Sequence, residues 1–253
     1  MRTIEGMSVL VTGGGSGLGE GMARHFVARG AKVTISGRRA DKIEAVAAEI
    51  GDGCRAVAGD VTRAEDREAL VQAACDHGGR LDLLVNNAGN MLRQAVAEYT
   101  EDELLAVFHT NVVGGMMLCR AAHESLAKSK GCIVFMGSVH NRRAFPGASP
   151  YAATKGAVES LTRVLAAELG ADGIRVGCVV PGAVLTEINQ RAGLFDDQAA
   201  KERLEGMSGM HALGRIGTAE EIAEAVEYLA RAAWTTGAIL EVDGGLGLGV
   251  TFA

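Results

Sequence analysis

Proline is nearly absent from this 253-residue chain, with three residues in all, and aromatic side chains make up only 4%. So few prolines leave long regular elements uninterrupted, and so few rings require a core of Ala, Val, Leu and Ile. No apolar run approaches the roughly 18 residues that span a bilayer. Residues 1–10 carry one Arg and no signal-peptide core, so a cytoplasmic protein without a membrane partner is expected. The five cysteines, Cys54, Cys75, Cys119, Cys132 and Cys178, are an odd number with no close pair. That excludes a Cys-x-x-Cys site and argues for small buried hydrophobes rather than a disulfide framework. The six histidines form no His-x-x-x-His or Cys/His cluster, so no protein-held metal is expected. Positive charge is also short: 25 Lys and Arg against 31 Asp and Glu give a net charge of -6, with no field to draw in nucleic acid or anionic lipid.

What is present is glycine, 35 residues of it, within a chain that is 48% hydrophobic and 22% charged. With no linker, repeat or low-complexity tract, residues 1–253 are expected to form a single domain. Short β-branched runs alternate with amphipathic stretches along the whole length, the pattern of an α/β chain winding a parallel sheet. Strands are expected at 8–11, 32–36, 55–58, 82–85, 132–136, 175–180 and 238–242. Ile222, Ala225, Val226 and Leu229 form one apolar stripe at helical spacing, and Val158, Leu161, Leu165 and Leu169 another. Thr62 with Glu65, Thr100 with Glu103 and Thr218 with Glu221 each have capping-box spacing and predict three helix starts. Residues 183–217 break the alternation and are expected to form a substrate lid, with Asn189, Phe195, Met207, Met210 and His211 as candidate contacts.

The run Thr12-Gly13-Gly14-Gly15-Ser16-Gly17-Leu18-Gly19 follows the first strand and opens a helix. Glycines there let the backbone approach a pyrophosphate, whose charge is held by free amides at the helix N-terminus, although glycine turns also serve packing. At the end of the second strand Gly37 stands where an NAD site needs a carboxylate, and Arg38 and Arg39 can pair with a 2′-phosphate or lie solvated on a loop. Asp60 follows the third strand and is placed for the adenine amino group. Asn87, Ala88 and Gly89 follow the fourth as a small bend that lets a ribose lie close.

Tyr151 and Lys155 stand four apart on one helix face, which sets an ammonium beside a phenol. A neighbouring cation favours the ionised form of a phenol, whose free pKa is about 10, and so makes proton exchange with an alcohol or carbonyl oxygen feasible. Ser138, at the end of the fifth strand, can bond the same oxygen. His140 can face a substrate or simply bond backbone. Arg142 and Arg143 offer an anion site or lie solvated.

With Thr12-Gly13-x-x-x-Gly17-x-Gly19, Asp60, Asn86-Asn87-Ala88-Gly89, Asn111, Ser138, Tyr151-x-x-x-Lys155 and Pro181-Gly182-x-x-x-Thr186 in that order, the chain resembles the short-chain dehydrogenases/reductases from end to end. The resemblance implies a Rossmann-type, doubly wound sheet with helices on both faces, an NADP or NAD cofactor and a homotetramer. It makes Tyr151 the general acid/base, Ser138 the group that orients the substrate oxygen and Lys155 the holder of the nicotinamide ribose. Asn111 completes a tetrad at a kink in an otherwise helical stretch from about residue 101 to 128, holding a relay water; otherwise an Asn there caps or is solvated. Cofactor contacts are implied for Gly13, Gly15, Ser16, Gly17, Leu18, Gly19, Arg38, Arg39, Asp60, Val61, Asn87, Ala88, Gly89, Tyr151, Lys155, Pro181, Gly182, Val184 and Thr186. No basic residue stands at Ser16, which keeps NAD beside NADP. Ser138-Val139-His140 together with Asn189 resembles the glucose 1-dehydrogenase group and implies a sugar or other polyhydroxylated substrate. A 3-oxoacyl thioester is the alternative small-molecule substrate, and a non-catalytic dinucleotide-binding regulator is disfavoured by the retained Ser, Tyr and Lys.

Overall fold

The computed structural model describes residues 1–184, 202 and 206–249. Strands β1 (Ser8–Thr12), β2 (Lys32–Gly37), β3 (Cys54–Ala58), β4 (Leu83–Asn86), β5 (Cys132–Met136), β6 (Arg175–Pro181) and β7 (Ala238–Val242) lie where the pattern places them, no end displaced by more than one residue. All run parallel in one sheet of order β3-β2-β1-β4-β5-β6-β7. The helices lying wholly among the described residues are α1 (Gly17–Val27), α2 (Ala40–Ile50), α3 (Ala64–Gly78), α4 (Glu101–Phe108), α5 (Gly114–Ser129), α6 (Ser149–Leu169) and α7 (Ala219–Arg231).

Successive strand residues point to opposite faces, so β-branched runs feed two cores at once. Val9, Val11, Val33, Ile35 and Val85 pack with Met22 and Phe26 of α1 and Ile222, Val226 and Leu229 of α7. Leu10, Leu84, Ile133 and Phe135 pack the other way, onto Leu70 of α3, Leu118, Ala122 and Leu126 of α5 and Val158 of α6. Each such side chain contributes about 1.5–3 kcal/mol by leaving water. Strand order reverses between β1 and β4, and at that switch the carboxyl ends of the strands open a crevice.

Two of the three expected capping boxes form. Thr100 and Thr218 each accept from the backbone N–H three residues on, and Glu103 and Glu221 return the bond. Thr62 does not cap α3. Its backbone N–H and its hydroxyl both donate to Asp60 Oδ1, at 2.9 and 2.8 Å, and the helix starts one residue later from Arg63. The ionised acceptor two residues back outcompetes a cap whose benefit is about 1 kcal/mol. Cys119 and Cys178 are packing residues, and burial pushes both thiols up to about 12.

The helical stretch from 101 to 128 is irregular at its middle. A π turn, His109–Val113, joins α4 to α5 and contains Asn111. Together they run Glu101–Ser129, and an 18-residue window within that span reaches a mean hydropathy of 1.3, long and apolar enough to cross a membrane by length and composition although no unbroken apolar run marks it. The helix opens on Glu101, Asp102 and Glu103 and lays Leu118, Ala122 and Leu126 on the sheet, while Leu105, Val113 and Met116 are exposed. Of the expected lid, residues 183, 184, 202 and 206–217 are described; Thr186, Asn189 and Phe195 lie outside the described residues.

Candidate active site

Gly13, with φ of +68°, turns the chain out of β1, and a side chain there would meet Ala88 Cα at 3.0 Å. Gly19 is needed for a different reason: a Cβ would lie 2.2 Å from the Gly13 carbonyl oxygen, so helix α1 and the loop could not touch. Asn87 locks the two together by donating from Nδ2 to the carbonyls of Thr12 and Gly13, at 2.8 and 3.2 Å. The backbone N–H groups of Asn87 and Ala88 both donate to Thr12 Oγ1 at 3.0 Å. The bend after β4 and the glycine loop therefore form one unit, and Ser16, at the N-cap position of α1, makes no side-chain capping bond. Free amides and a helix N-terminus in a loop too close for side chains fit a pyrophosphate.

Two clefts meet at Gly13, Ser16, Asn87 and Gly89. The first runs past Gly15, Gly37, Arg38, Arg39, Asp60, Val61 and Ala88, and also takes in Lys42 and Thr110. Burial works to raise the Asp60 carboxyl, but the Thr62 hydrogen bonds and the charges of Arg38 and His109 outweigh it and hold it below the ordinary carboxylate range. Lys42 was missed in the sequence, although it stands three residues after Arg39 and one turn into α2. The second cleft, of about 300 Å³, holds Gly17, Leu18, Ser138, His140, Tyr151, Lys155, Pro181, Gly182 and Val184. Every described residue named above for the cofactor lines one cleft or the other, except Gly19, whose part is packing.

Helix α6 begins at Ser149-Pro150, a start suited to proline, and so presents Tyr151 and Lys155 in its first two turns. Both are buried. Lys155 Nζ lies 5.3 Å from the Tyr151 ring centroid and donates to the Met136 carbonyl at 2.8 Å, which ties the ammonium to the end of β5. Ser138 follows in extended backbone, its Oγ 3.0 Å from His140 Nδ1. Burial first, then the charges of Arg93 and Lys155, push the His140 imidazole down to about 4.

Asn111 lines neither cleft. Its Nδ2 donates to the Asn90 carbonyl at 2.9 Å and to Thr154 Oγ1 at 3.0 Å, while Oδ1 accepts from the Asn90 N–H at 2.8 Å. The residue is buried and fully engaged, neither a cap nor solvated. Arg142 is not an anion site: it pairs with Glu159 at 2.6 Å and Glu241 at 2.9 Å, and Arg143 donates to the Leu246 carbonyl at 3.2 Å. His211, expected at the lid, is buried with Nδ1 bonded to the Met207 carbonyl, whereas Met207 and Met210 do line the second cleft. That cleft also collects Met91, Arg93, Phe145 and Leu246. Leu246 was the hardest to foresee, since the glycine-rich tail around it signals only a turn.

The family model described as enoyl-(acyl carrier protein) reductase matches residues 13–247. Glucose 1-dehydrogenase of Gluconobacter oxydans is 36% identical over 251 residues, covering 96% of this chain and 92% of the relative. The 3-oxoacyl-[acyl-carrier-protein] reductase of Bos taurus is 32% identical over 239 residues, covering 94% and 97%. A crystal structure of 3-ketoacyl-(acyl-carrier-protein) reductase from Brucella melitensis complexed with NADH superposes with a TM-score of 0.88 at 34% identity, covering 97% of this chain and 100% of that one. Two clefts that meet at the glycine loop, a Ser, Tyr and Lys together in one of them and relatives matched along nearly their whole length lead to one assignment: the chain is an oxidoreductase of the short-chain dehydrogenase/reductase family.

Proposed function

We propose that this oxidoreductase interconverts a secondary alcohol and a carbonyl, with Tyr151 as the proton carrier. The observation that carries the reading is the convergence of Ser138, Tyr151 and Lys155 in one cleft beside the glycine loop. A nicotinamide dinucleotide, when bound, supplies or accepts the hydride. In reduction the Tyr151 phenol gives its proton to the carbonyl oxygen, and Ser138 donates a hydrogen bond to that oxygen as charge grows on it. Lys155 keeps two of its three donors beyond the Met136 bond, fit for ribose hydroxyls. Asn111 positions α6 through Thr154, whose hydroxyl donates to the Tyr151 carbonyl at 2.7 Å. Cofactor preference for NADP over NAD is supported by Arg38, Arg39 and Lys42 around Gly37.

For the substrate, the described lining supports a carbonyl on an apolar body, as in a 3-oxoacyl thioester. Met91, Phe145, Met207, Met210 and Leu246 surround the reacting end, and thioethers adapt to extended chains. The polyhydroxylated reading keeps His140 and the likeness to glucose 1-dehydrogenase, but Nδ1 of His140 is already engaged by Ser138. A homotetrameric cytoplasmic enzyme is our reading of the assembly: Leu105, Met116 and Val164 of α4, α5 and α6 are large apolar side chains left exposed.

The test is Tyr151→Phe, read with a panel of 3-oxoacyl thioesters, sugars and polyols against both cofactors. Turnover should fall by at least about 100-fold, the contribution of general acid/base work, with cofactor affinity unchanged. A variant retaining a tenth of the activity refutes the assignment.

A further inference from the structure

A serine hydroxyl has one proton to give and two lone pairs to receive with. At Ser138 the hydroxyl oxygen meets residue 140 twice: the His140 backbone N–H donates to Oγ at 3.3 Å, and His140 Nδ1 lies 3.0 Å from the same oxygen. The imidazole is fixed from further sides. Its centroid is 4.5 Å from the Phe145 ring, and it meets the Tyr151 ring edge-on at 5.3 Å. The turn that carries it is pinned by Asn141 Nδ2, which donates to Glu159 Oε1 at 2.6 Å, and by the Arg142 pairs with Glu159 and Glu241. Its charged neighbours are both cations, Arg93 and Lys155, so at neutral pH the ring is uncharged and carries one N–H.

We propose that His140 is a positioning residue: it carries its proton on Nδ1, donates it to Ser138 Oγ, and so commits the serine's own proton to the substrate oxygen. This rests on the reading of Ser138 and Tyr151 given above. With the proton on Nε2 instead, Ser138 would spend its hydrogen on His140 and could offer a carbonyl nothing. One imidazole proton thus decides whether the carbonyl meets two donors or one. Because the Ser138 bond strengthens as charge develops on oxygen, the effect falls on kcat and leaves ground-state binding nearly untouched. A residue that touched substrate directly would act on KM instead.

Two measurements decide it. A long-range ¹H–¹⁵N spectrum of the full-length protein at neutral pH, with His140 assigned by comparison with His140→Phe, should show Nδ1 protonated; protonated Nε2 overturns the proposal whether or not a substrate is in hand. Kinetics with acetoacetyl-N-acetylcysteamine and NADPH should show His140→Phe lowering kcat by roughly tenfold, the worth of one hydrogen bond, with KM within about twofold. His140→Asn, whose amide restores a donor at the place of Nδ1, should recover most of that loss, and Ser138→Ala should cost less in the His140→Phe background than alone. Unchanged kcat in His140→Phe, a change in KM alone, or no recovery with Asn overturns the proposal. If the wild type does not reduce this thioester, the substrate reading fails, and the spectrum still decides the tautomer.

Discussion

Removing a single guanidinium from the first cleft should change the cofactor this enzyme uses. Gly37 ends β2 with no side chain, Arg38 and Arg39 follow, and Lys42 stands in the first turn of α2. The start of that helix has no side-chain cap, so its amides add a further partial positive charge. A 2′-phosphate there gains charge-assisted hydrogen bonds of about 1.5–3 kcal/mol each, whereas a bare ribose hydroxyl finds no carboxylate at residue 37. Arg38→Ala should therefore weaken NADPH binding by about 2 kcal/mol, or about 30-fold, and NADH binding by less than about threefold. Gly37→Asp is the sharper perturbation. A Cβ at residue 37 meets only Ile43 Cγ2, at 3.0 Å, which a small shift relieves. Its carboxylate would repel the phosphate and accept from ribose hydroxyls, moving the NADP-to-NAD ratio by roughly 100-fold, about 2.7 kcal/mol split between the two effects. Fluorescence titration with each reduced cofactor at low and moderate salt reads this without any substrate, and the NADPH arm should be the more salt-sensitive. Equal loss for both cofactors in Arg38→Ala, or none, would show that the arginine does not read the phosphate.

Acid should destabilise the fold through His140. Its imidazole, pushed from the ordinary 6.5 to about 4, refuses a proton that the unfolded chain takes up. This contribution is whole above pH 6.5 and is lost as pH falls toward 4, amounting to about 3 kcal/mol in full and about 2 kcal/mol by about pH 5. Urea midpoints should show wild type losing about that much more than His140→Phe between about pH 7.5 and about pH 5; parallel losses refute it. Arg175 is buried in β6 and donates to the carbonyls of Ala230 and Ala232 at 2.7 and 3.1 Å, closing the C-terminus of α7. Arg175→Met should cost about 3 kcal/mol in the same assay, and a loss below about 1 kcal/mol would mean that water replaces it. Sedimentation at micromolar concentration should find an assembly of several 26.2 kDa chains, and a monomer would count against the apolar helix faces as an interface.

The strands were legible because burial on both faces leaves a run such as Val9-Leu10-Val11 with no other home. Tyr151 and Lys155 were legible because a helix carries residues four apart to one side. What escaped depended on partners distant in the chain. Arg142 beside Arg143 reads as a solvated pair or an anion site until Glu159 and Glu241, from α6 and β7, come within reach. Thr62 reads as a cap until Asp60 takes its hydroxyl. The partnership of Ser138 with His140 spans two residues, yet it needs the 3₁₀ turn Val139–Asn141 to bring the ring back over the hydroxyl, and short 3₁₀ turns leave no periodic trace.

The π turn at His109–Val113 constrains how this chain can change length. It adds one residue to a helix, and each helical residue turns the axis by about 100°. Deleting a residue there would give an unbroken α-helix, locally the better-bonded form. It would also swing α5 by about 100° relative to α4, carrying Leu118, Ala122 and Leu126 away from the sheet or Val107 out of its buried place. The same deletion would draw Asn111 off the Asn90 backbone and Thr154. The irregular turn is thus held by regular packing at both of its ends, and one-residue insertions and deletions should be tolerated in the loops flanking residues 101–129 far better than within them.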